Sequence, residues 1–306
     1  LFRQALRQKD MTDESRPVRL GIIGGSGLYQ IDGLKDAEWG SVESPFGEPS
    51  DQILLGNLEG LDVAFLPRHG RGHRIPPGEI NFRANIDVLK RAGVTDIVSL
   101  SAVGSLRDGL APGDFVVVDQ FIDRTFARVK SFFSAGLVAH VSMAHPVCGR
   151  VGASLMQAAG DISDMRAVHG GTYLVMEGPQ FSTLAESELY RAWGCDVIGM
   201  TNMPEAKLAR EAEIYYATVA MVTDYDCWHE DHDNVTVEAV IKVVNENAAH
   251  ARALVTVLAS GFSQARGTCD GGCDRALENA VMTAPEARDK AMVAKLDAVA
   301  GRVLAP

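Results

Sequence analysis

No apolar run in this chain is long enough to cross a bilayer, so an α-helical membrane protein is not expected. Positive charge is in deficit: 29 Lys and Arg face 40 Asp and Glu, for a formal net charge of -11. That balance argues against a non-specific grip on nucleic acid or on an anionic membrane, although a local basic pocket for a small anion remains open. Cysteine is sparse and odd in number: Cys148, Cys195, Cys227, Cys269 and Cys273. With wide scatter and no secretory signal in the basic, core-less stretch Leu1–Asp10, reduced thiols in a cytoplasm are expected. Cys269 and Cys273 form a Cys-x3-Cys pair with no second pair and no adjacent His, so neither a zinc site nor a disulfide is expected there; a Gly-rich bend before the last helix is. The His-Glu-x-x-His pattern is missing as well; His229 and His232 sit among acids and read as a solvated loop. No internal repeat and no low-complexity linker interrupt the chain.

What is present is an ordinary globular composition, 46% hydrophobic and 23% charged over 306 residues. Strand-like and helix-like patterns alternate throughout. The expected architecture is α/β, a single domain with a mixed twisted central sheet flanked by helices. Residues 1–16 are expected to be a disordered N-terminal extension, with Met11 a plausible start. Residues 17–262 would form the main domain and 263–306 a C-terminal helical tail.

The segment that organises the reading is Met221-Val222-Thr223-Asp224-Tyr225-Asp226-Cys227-Trp228. An apolar run from Ile214 reads as a buried strand that ends in two carboxylates at i and i+2. Strand alternation would place Asp224 and Asp226 on one side. Ligands in α/β proteins sit beyond the carboxyl ends of strands, and buried acids there can accept from an amine or hold a proton to donate.

Other strand ends carry small or basic loops. Arg19–Ile23 runs into Gly24-Gly25-Ser26-Gly27, where Gln30 breaks the dinucleotide pattern and no P-loop lysine follows. Strands with turns at residues 45–49 and 58–60 fill residues 41–66. Val63–Leu66 leads to Pro67-Arg68-His69-Gly70-Arg71-Gly72-His73-Arg74, the most basic stretch of an acidic chain and a candidate anion site. A helix is expected over 79–92. The strand 95–100 empties into Ser101-Ala102-Val103-Gly104-Ser105, read as a third small-residue loop; three such loops point to one phosphate and sugar site. Residues 120–147 lack periodicity and read as a long excursion, a lid or a subunit contact. The turn 177–183 can present Phe181 as a flat apolar face. Pro204 opens a helix to residue 213. Val237, Val240, Ile241, Val244, Ala251, Val255 and Leu258 form a helical stripe whose first turn could line an apolar pocket.

These stretches together resemble the purine nucleoside phosphorylase superfamily and, within it, the methylthioadenosine phosphorylases. The similarity rests on Gly21–Leu28, Arg68-His69-Gly70, Ala102–Leu106, Asp119–Thr125, Glu177–Ser182, Met200-Thr201 and Thr223–Trp228. The resemblance implies phosphorolysis of 5′-methylthioadenosine to adenine and 5-methylthioribose 1-phosphate, with inorganic phosphate as co-substrate and no cofactor or metal. It implies phosphate among Ser26, Arg68, His69, Ser101, Ala102 and Thr201, ribose at Met200, and the base on Phe181. Asp224 and Asp226 would meet adenine N7 and the 6-amino group, and Val237, Val240 and Ile241 the methylthio group. It also implies a homotrimer in which His140 of a neighbouring subunit closes that pocket. Ser26 and Ser101 replace threonines common in eukaryotic relatives and keep the hydroxyl. The alternatives are a methylthioinosine or broader purine nucleoside phosphorylase, a hydrolase using water, and a non-catalytic nucleoside-binding protein.

Overall fold

The computed structural model describes residues 17–25, 31–229, 237–262 and 267–304. Eleven strands among them form one mixed sheet. Its centre is a set of parallel strands: β1 (Arg19–Gly24) lies between β4 (Leu61–Pro67) and β5 (Asp96–Ser105), and β5 also pairs with β11 (Tyr215–Asp224). β2 (Lys35–Gly40) and β3 (Ile53–Leu58) extend one edge antiparallel. β6 (Phe115–Val117) and β8 (Ala167–His169) continue beyond β11. β10 (Val197–Gly199) pairs antiparallel with the end of β5, and leads on to β9 (Thr172–Val175) and β7 (Gln120–Asp123).

The central strands are apolar on both faces because helices cover both. On β11, Tyr215, Ala217, Val219 and Met221 join one core cluster, and Tyr216, Ala220 and Val222 the other. The first cluster takes in Val151 and Leu155 of α2 (Gly149–Gly160), and Ala251, Leu254, Val255 and Leu258 of α5 (Val237–Gly261). The second includes α1 (Phe82–Arg91), α4 (Asn202–Glu211) and the tail residues Leu277, Leu296, Val299, Ala300 and Leu304. α3 (Leu184–Ala192) begins after Thr183, where Thr183 and Glu186 make a reciprocal capping box.

Several local expectations are revised. Residues 41–50 are irregular, and the edge strand precedes them as Lys35–Gly40. Ser101–Ser105 is strand rather than loop, because β11 on one side and β10 on the other supply partners for its backbone. The strand Ala167–His169 carried too short a pattern to be read. The 120–147 excursion is pinned: Glu211 of α4 accepts from Ser131 Oγ at 2.7 Å and from Phe132 N–H at 2.7 Å. The tail is two short helices, Lys290–Lys295 (α6) and Asp297–Leu304 (α7), joined to the body by Arg302–Glu213 at 2.7 Å and Arg91–Asp297 at 2.6 Å. The Gly-rich bend at 269–273 has a third thiol beside it: Cys148 Sγ lies 3.5 Å from Cys269 Sγ.

Candidate active site

The acids converge by a different device from the one strand alternation suggests. Asp224 ends β11 opposite Gly104, after an irregularity that begins at Val222. Asp226 lies past the strand with φ 52, in the left-handed region. Its N–H donates to Asp224 Oδ1 at 2.8 Å, a side-chain-to-backbone turn of the kind aspartate makes readily. Thr223 Oγ1 is 2.7 Å from Asp224 Oδ2. Both acids gather over Gly104: a Cβ there would lie 2.9 Å from Asp224 Oδ1 and 3.3 Å from Asp226 Cβ. Gly104 therefore leaves room for the pair. Burial pushes the carboxyls of Asp224 and Asp226 up from the ordinary range; the Thr223 hydroxyl and Asp226 N–H partly offset this for Asp224, while the neighbouring Asp226 adds to it.

Further back on β5, Ser101 Oγ lies 3.1 Å from Thr201 Oγ1 and 3.0 Å from Tyr173 OH. Thr201 is the residue before α4, and its hydroxyl is not used as a helix cap. Ala102 is the exposed member of an otherwise buried ten-residue strand, so β5 opens to solvent between the hydroxyls and the acids. Ser101 and Gly104 are three residues apart, which spans about 10 Å along a strand. One strand thus carries a hydroxyl cluster and a carboxylate cluster at roughly the separation of a nucleoside's sugar and base ends.

Arg68 is buried, and its fork is mostly engaged within the chain. Nε donates to Glu205 Oε2 at 2.9 Å, Nη1 to the Leu100 carbonyl at 3.0 Å, and Nη2 to Ser99 Oγ at 2.6 Å. Among the described residues, one Nη1 hydrogen is left to point elsewhere. Ser99 Oγ also sits 2.6 Å from Glu205 Oε1 and 3.0 Å from Asn202 Nδ2, and Tyr216 OH donates to Glu205 Oε1 at 2.9 Å. This buried network fixes the start of α4, and with it Thr201. His69 Nδ1 is 2.8 Å from the Ile75 carbonyl, so that nitrogen carries the proton. Burial and the nearby Arg68 hold its pKa down at about 4, so the neutral ring presents Nε2 as an acceptor.

The loop after β9 carries Phe181, which is 45% exposed and free to offer its face. Gly178, at φ 69, lets Met200 pack onto this turn: a Cβ would lie 2.4 Å from Met200 Sδ. Arg128 clamps the assembly. It donates from Nη1 to the Met200 carbonyl at 2.6 Å, from Nη2 to the Glu177 carbonyl at 2.6 Å, and from Nε to Glu177 Oε1 at 2.7 Å. Trp228 Nε1 donates to the Ser105 carbonyl at 2.7 Å, which ties the segment after the acids back to β5.

The fold therefore brings Ser101, Ala102, Thr201, Asp224 and Asp226 to one strand, with Arg68 beneath and Met200 and Phe181 on the adjoining turn. Ser26 lies outside the described residues, as do the side chains of Val237 and Val240. Ile241 is 54% exposed on α5. His140 is exposed on the excursion, where its N–H donates to the Ala280 carbonyl at 2.9 Å. Sequence reasoning missed Glu205, Tyr173, Arg128 and Gly104. A glutamate four residues past Thr201, in a helix opening beneath a buried arginine, was the one signal available for the first.

Comparison with known proteins gives a consistent answer. A family model described as Phosphorylase superfamily matches residues 19–260. A relative from Cereibacter sphaeroides named S-methyl-5′-thioadenosine phosphorylase is 64% identical over 285 residues, which cover 93% of this chain and 98% of that one. A crystal structure of a methylthioadenosine phosphorylase from an Antarctic soil metagenomic library superposes with TM-score 0.87 at 47% identity, covering 93% of this chain and 99% of the other. The methylthioadenosine phosphorylase from Schistosoma mansoni in complex with adenine gives TM-score 0.75 at 38% identity, over 79% and 91%. The matched residues hold every strand of the sheet and both clusters on β5, and the chain belongs to the phosphorylase superfamily.

Proposed function

We propose that this protein is a phosphorylase of 5′-methylthioadenosine, releasing adenine and 5-methylthioribose 1-phosphate. The observation that carries the reading is the convergence of Asp224 and Asp226 over Gly104, one strand segment away from the Ser101–Thr201 hydroxyl pair. The relatives' names point to the same substrate.

Inorganic phosphate is the co-substrate, and the reaction uses no other cofactor. Phosphate lies among Ser26, Arg68, His69, Ser101, Ala102 and Thr201. Hydroxyls and one Arg68 N–H donate to it, and the neutral His69 Nε2 accepts a hydrogen bond from the P–OH of the monohydrogen form. A phosphate oxygen forms the bond to the sugar's anomeric carbon as the bond from that carbon to purine N9 breaks. Negative charge grows on the leaving base. Burial and the like charge of Asp226 push the Asp224 carboxyl up towards holding a proton; Asp224 gives that proton to N7, and Asp226 accepts from the 6-amino group. A general acid of this kind is worth about 10²–10⁴-fold. A 6-oxo base would leave an acceptor facing an acceptor, at a cost of about 1–3 kcal/mol. Met200 meets the ribose, Phe181 stacks on the base, and Val237, Val240 and Ile241 take the methylthio group with His140 from a neighbouring subunit of a homotrimer. No helix among the described residues is long and apolar enough to cross a membrane, and we place the enzyme in the cytoplasm.

The test is adenine release from methylthioadenosine with and without phosphate, beside hypoxanthine release from methylthioinosine. Phosphate-dependent adenine release is expected. Phosphate-independent release would mean a hydrolase, and faster hypoxanthine release would mean an oxopurine enzyme.

A further inference from the structure

Away from this site, three cysteines from two distant parts of the chain meet. Cys148 stands at the start of α2, and Cys269 and Cys273 lie on the turn that leads into the tail. Cys269 Sγ is 3.5 Å from Cys148 Sγ and 3.3 Å from Cys273 Sγ, and all three sulfurs lie within 4.8 Å of one another. We propose that Cys148, Cys269 and Cys273 form a three-thiolate site for one thiophilic d¹⁰ cation, with Zn²⁺ as its type.

The geometry separates this from a disulfide. A bonded pair needs its sulfurs at about 2.05 Å, and would leave the third thiol unused beside it. Thiolates around a tetrahedral zinc, each at about 2.3 Å from the metal, stand about 3.8 Å apart. The three sulfurs are close to that spacing and need only part slightly to admit the ion. Gly272, at φ 58, closes the turn with its N–H on the Cys269 carbonyl at 2.9 Å, which sets Cys269 and Cys273 side by side. The sequence offered only the Cys269–Cys273 pair and gave no reason to expect a metal there; the third thiol comes from a position 121 residues earlier.

The surroundings suit the charge. Binding releases one proton from each thiol to solvent, and three thiolates around a divalent ion leave a net charge of minus one. Arg150 is close enough to Cys148, and Arg210 to Cys273, to offset it. Arg210 Nη1 also donates to the Gly271 carbonyl at 3.3 Å, inside the same turn. The Val151 N–H in the first turn of α2 is hydrogen-bonded to Cys148, and the helix start adds partial positive charge beside it. Cys148 and Cys273 are buried, whereas Cys269 is half-buried and leaves a path for the ion and for a water as fourth ligand.

The consequence is mechanical. The ion would staple the tail to α2. The tail in turn pairs with the excursion at Ala139–Val281 and holds His140 N–H on Ala280.

The experiment uses the full chain, purified with reductant and chelator and then titrated with Zn²⁺ or Co²⁺. One equivalent per chain is expected, with thiolate-to-cobalt charge-transfer absorption and a higher Tm with Zn²⁺. Replacing even an outer-shell partner of a metal site costs 10–100-fold in affinity, so Cys148→Ser and Cys273→Ser should weaken Zn²⁺ by about 100-fold or more. Cys195→Ser, at a buried thiol in another cluster, should leave affinity unchanged. Cys269 is the most accessible of the three, so Cys269→Ser keeps the test available if the buried variants do not fold. Unchanged Zn²⁺ affinity in the cysteine variants would overturn the proposal. So would a non-reduced protein that binds no Zn²⁺ and is lighter by two hydrogens, the mark of a disulfide.

Discussion

Gly104→Ala tests the geometry of the acid pair without touching either acid. Gly104 has no positive φ, so alanine brings no backbone strain, only a methyl group. That methyl would lie 2.9 Å from Asp224 Oδ1, 3.2 Å from Ile198 Cγ2 and 3.3 Å from Asp226 Cβ. Ordinary contact begins at 3.4 Å, so the Asp224 carboxyl must retreat by about 0.5 Å. It is held there by Thr223 and by Asp226 N–H, so it cannot swing freely. A misplacement of about 1 Å at a reacting group costs roughly 10²-fold, and half of that suggests about 10-fold. Overpacking a strand costs about 1–3 kcal/mol, which a chain of this size should survive. The assay is kcat/KM for methylthioadenosine at saturating phosphate, with Tm measured alongside. Gly160→Ala is the control, because its added methyl meets nothing within 4 Å. A folded Gly104→Ala enzyme with kcat/KM within about twofold of the parent would refute the idea that the acids act from this fixed position.

Three further outcomes follow from the same contacts. Asp224→Asn removes the proton donor while keeping the shape, so adenine release should fall by about 10²–10⁴-fold, as initial rates would show; full turnover would assign the acid elsewhere. Glu205→Gln leaves the Arg68 charge buried against a neutral partner and should cost about 3–5 kcal/mol in urea unfolding, while Arg68→Met with Glu205→Leu regains most of it without restoring activity; a single-variant loss under about 1 kcal/mol would mean water reaches the pair. Burial raises the Glu211 carboxyl from 4.5 to about 7, so the folded state holds this proton more tightly than the unfolded chain does; the stability it gives is complete below pH 4.5 and is lost as pH rises through about 7, a swing on the order of 3 kcal/mol. Glu211→Gln should flatten that slope in Tm measured from pH 5 to 8, and an unchanged slope would place its origin in another group.

Features that depend on near neighbours were readable along the chain. The run Tyr215–Val222 had to be a strand with both faces covered, because its residues apart from Thr218 are apolar and leave no polar side. Thr183 and Glu186 fixed the start of a helix through their own capping bonds. The basic loop at Arg68 and the acids at 224 and 226 stood out in the sequence as candidate ends of one site. Tertiary structure decided how those residues are used. Arg68 meets Glu205, 137 residues away, and most of its fork goes into the core. Asp226 reaches its neighbour through a left-handed turn that no alternation rule describes. Ser101–Ser105 became strand because partners lay on both sides, and Cys148 became the third thiol because α2 begins where the tail passes. Periodicity is set by bonds within a few residues. Pairings across a sheet are set by which chain segments the closed fold leaves adjacent, and that information is not local to any stretch of the sequence.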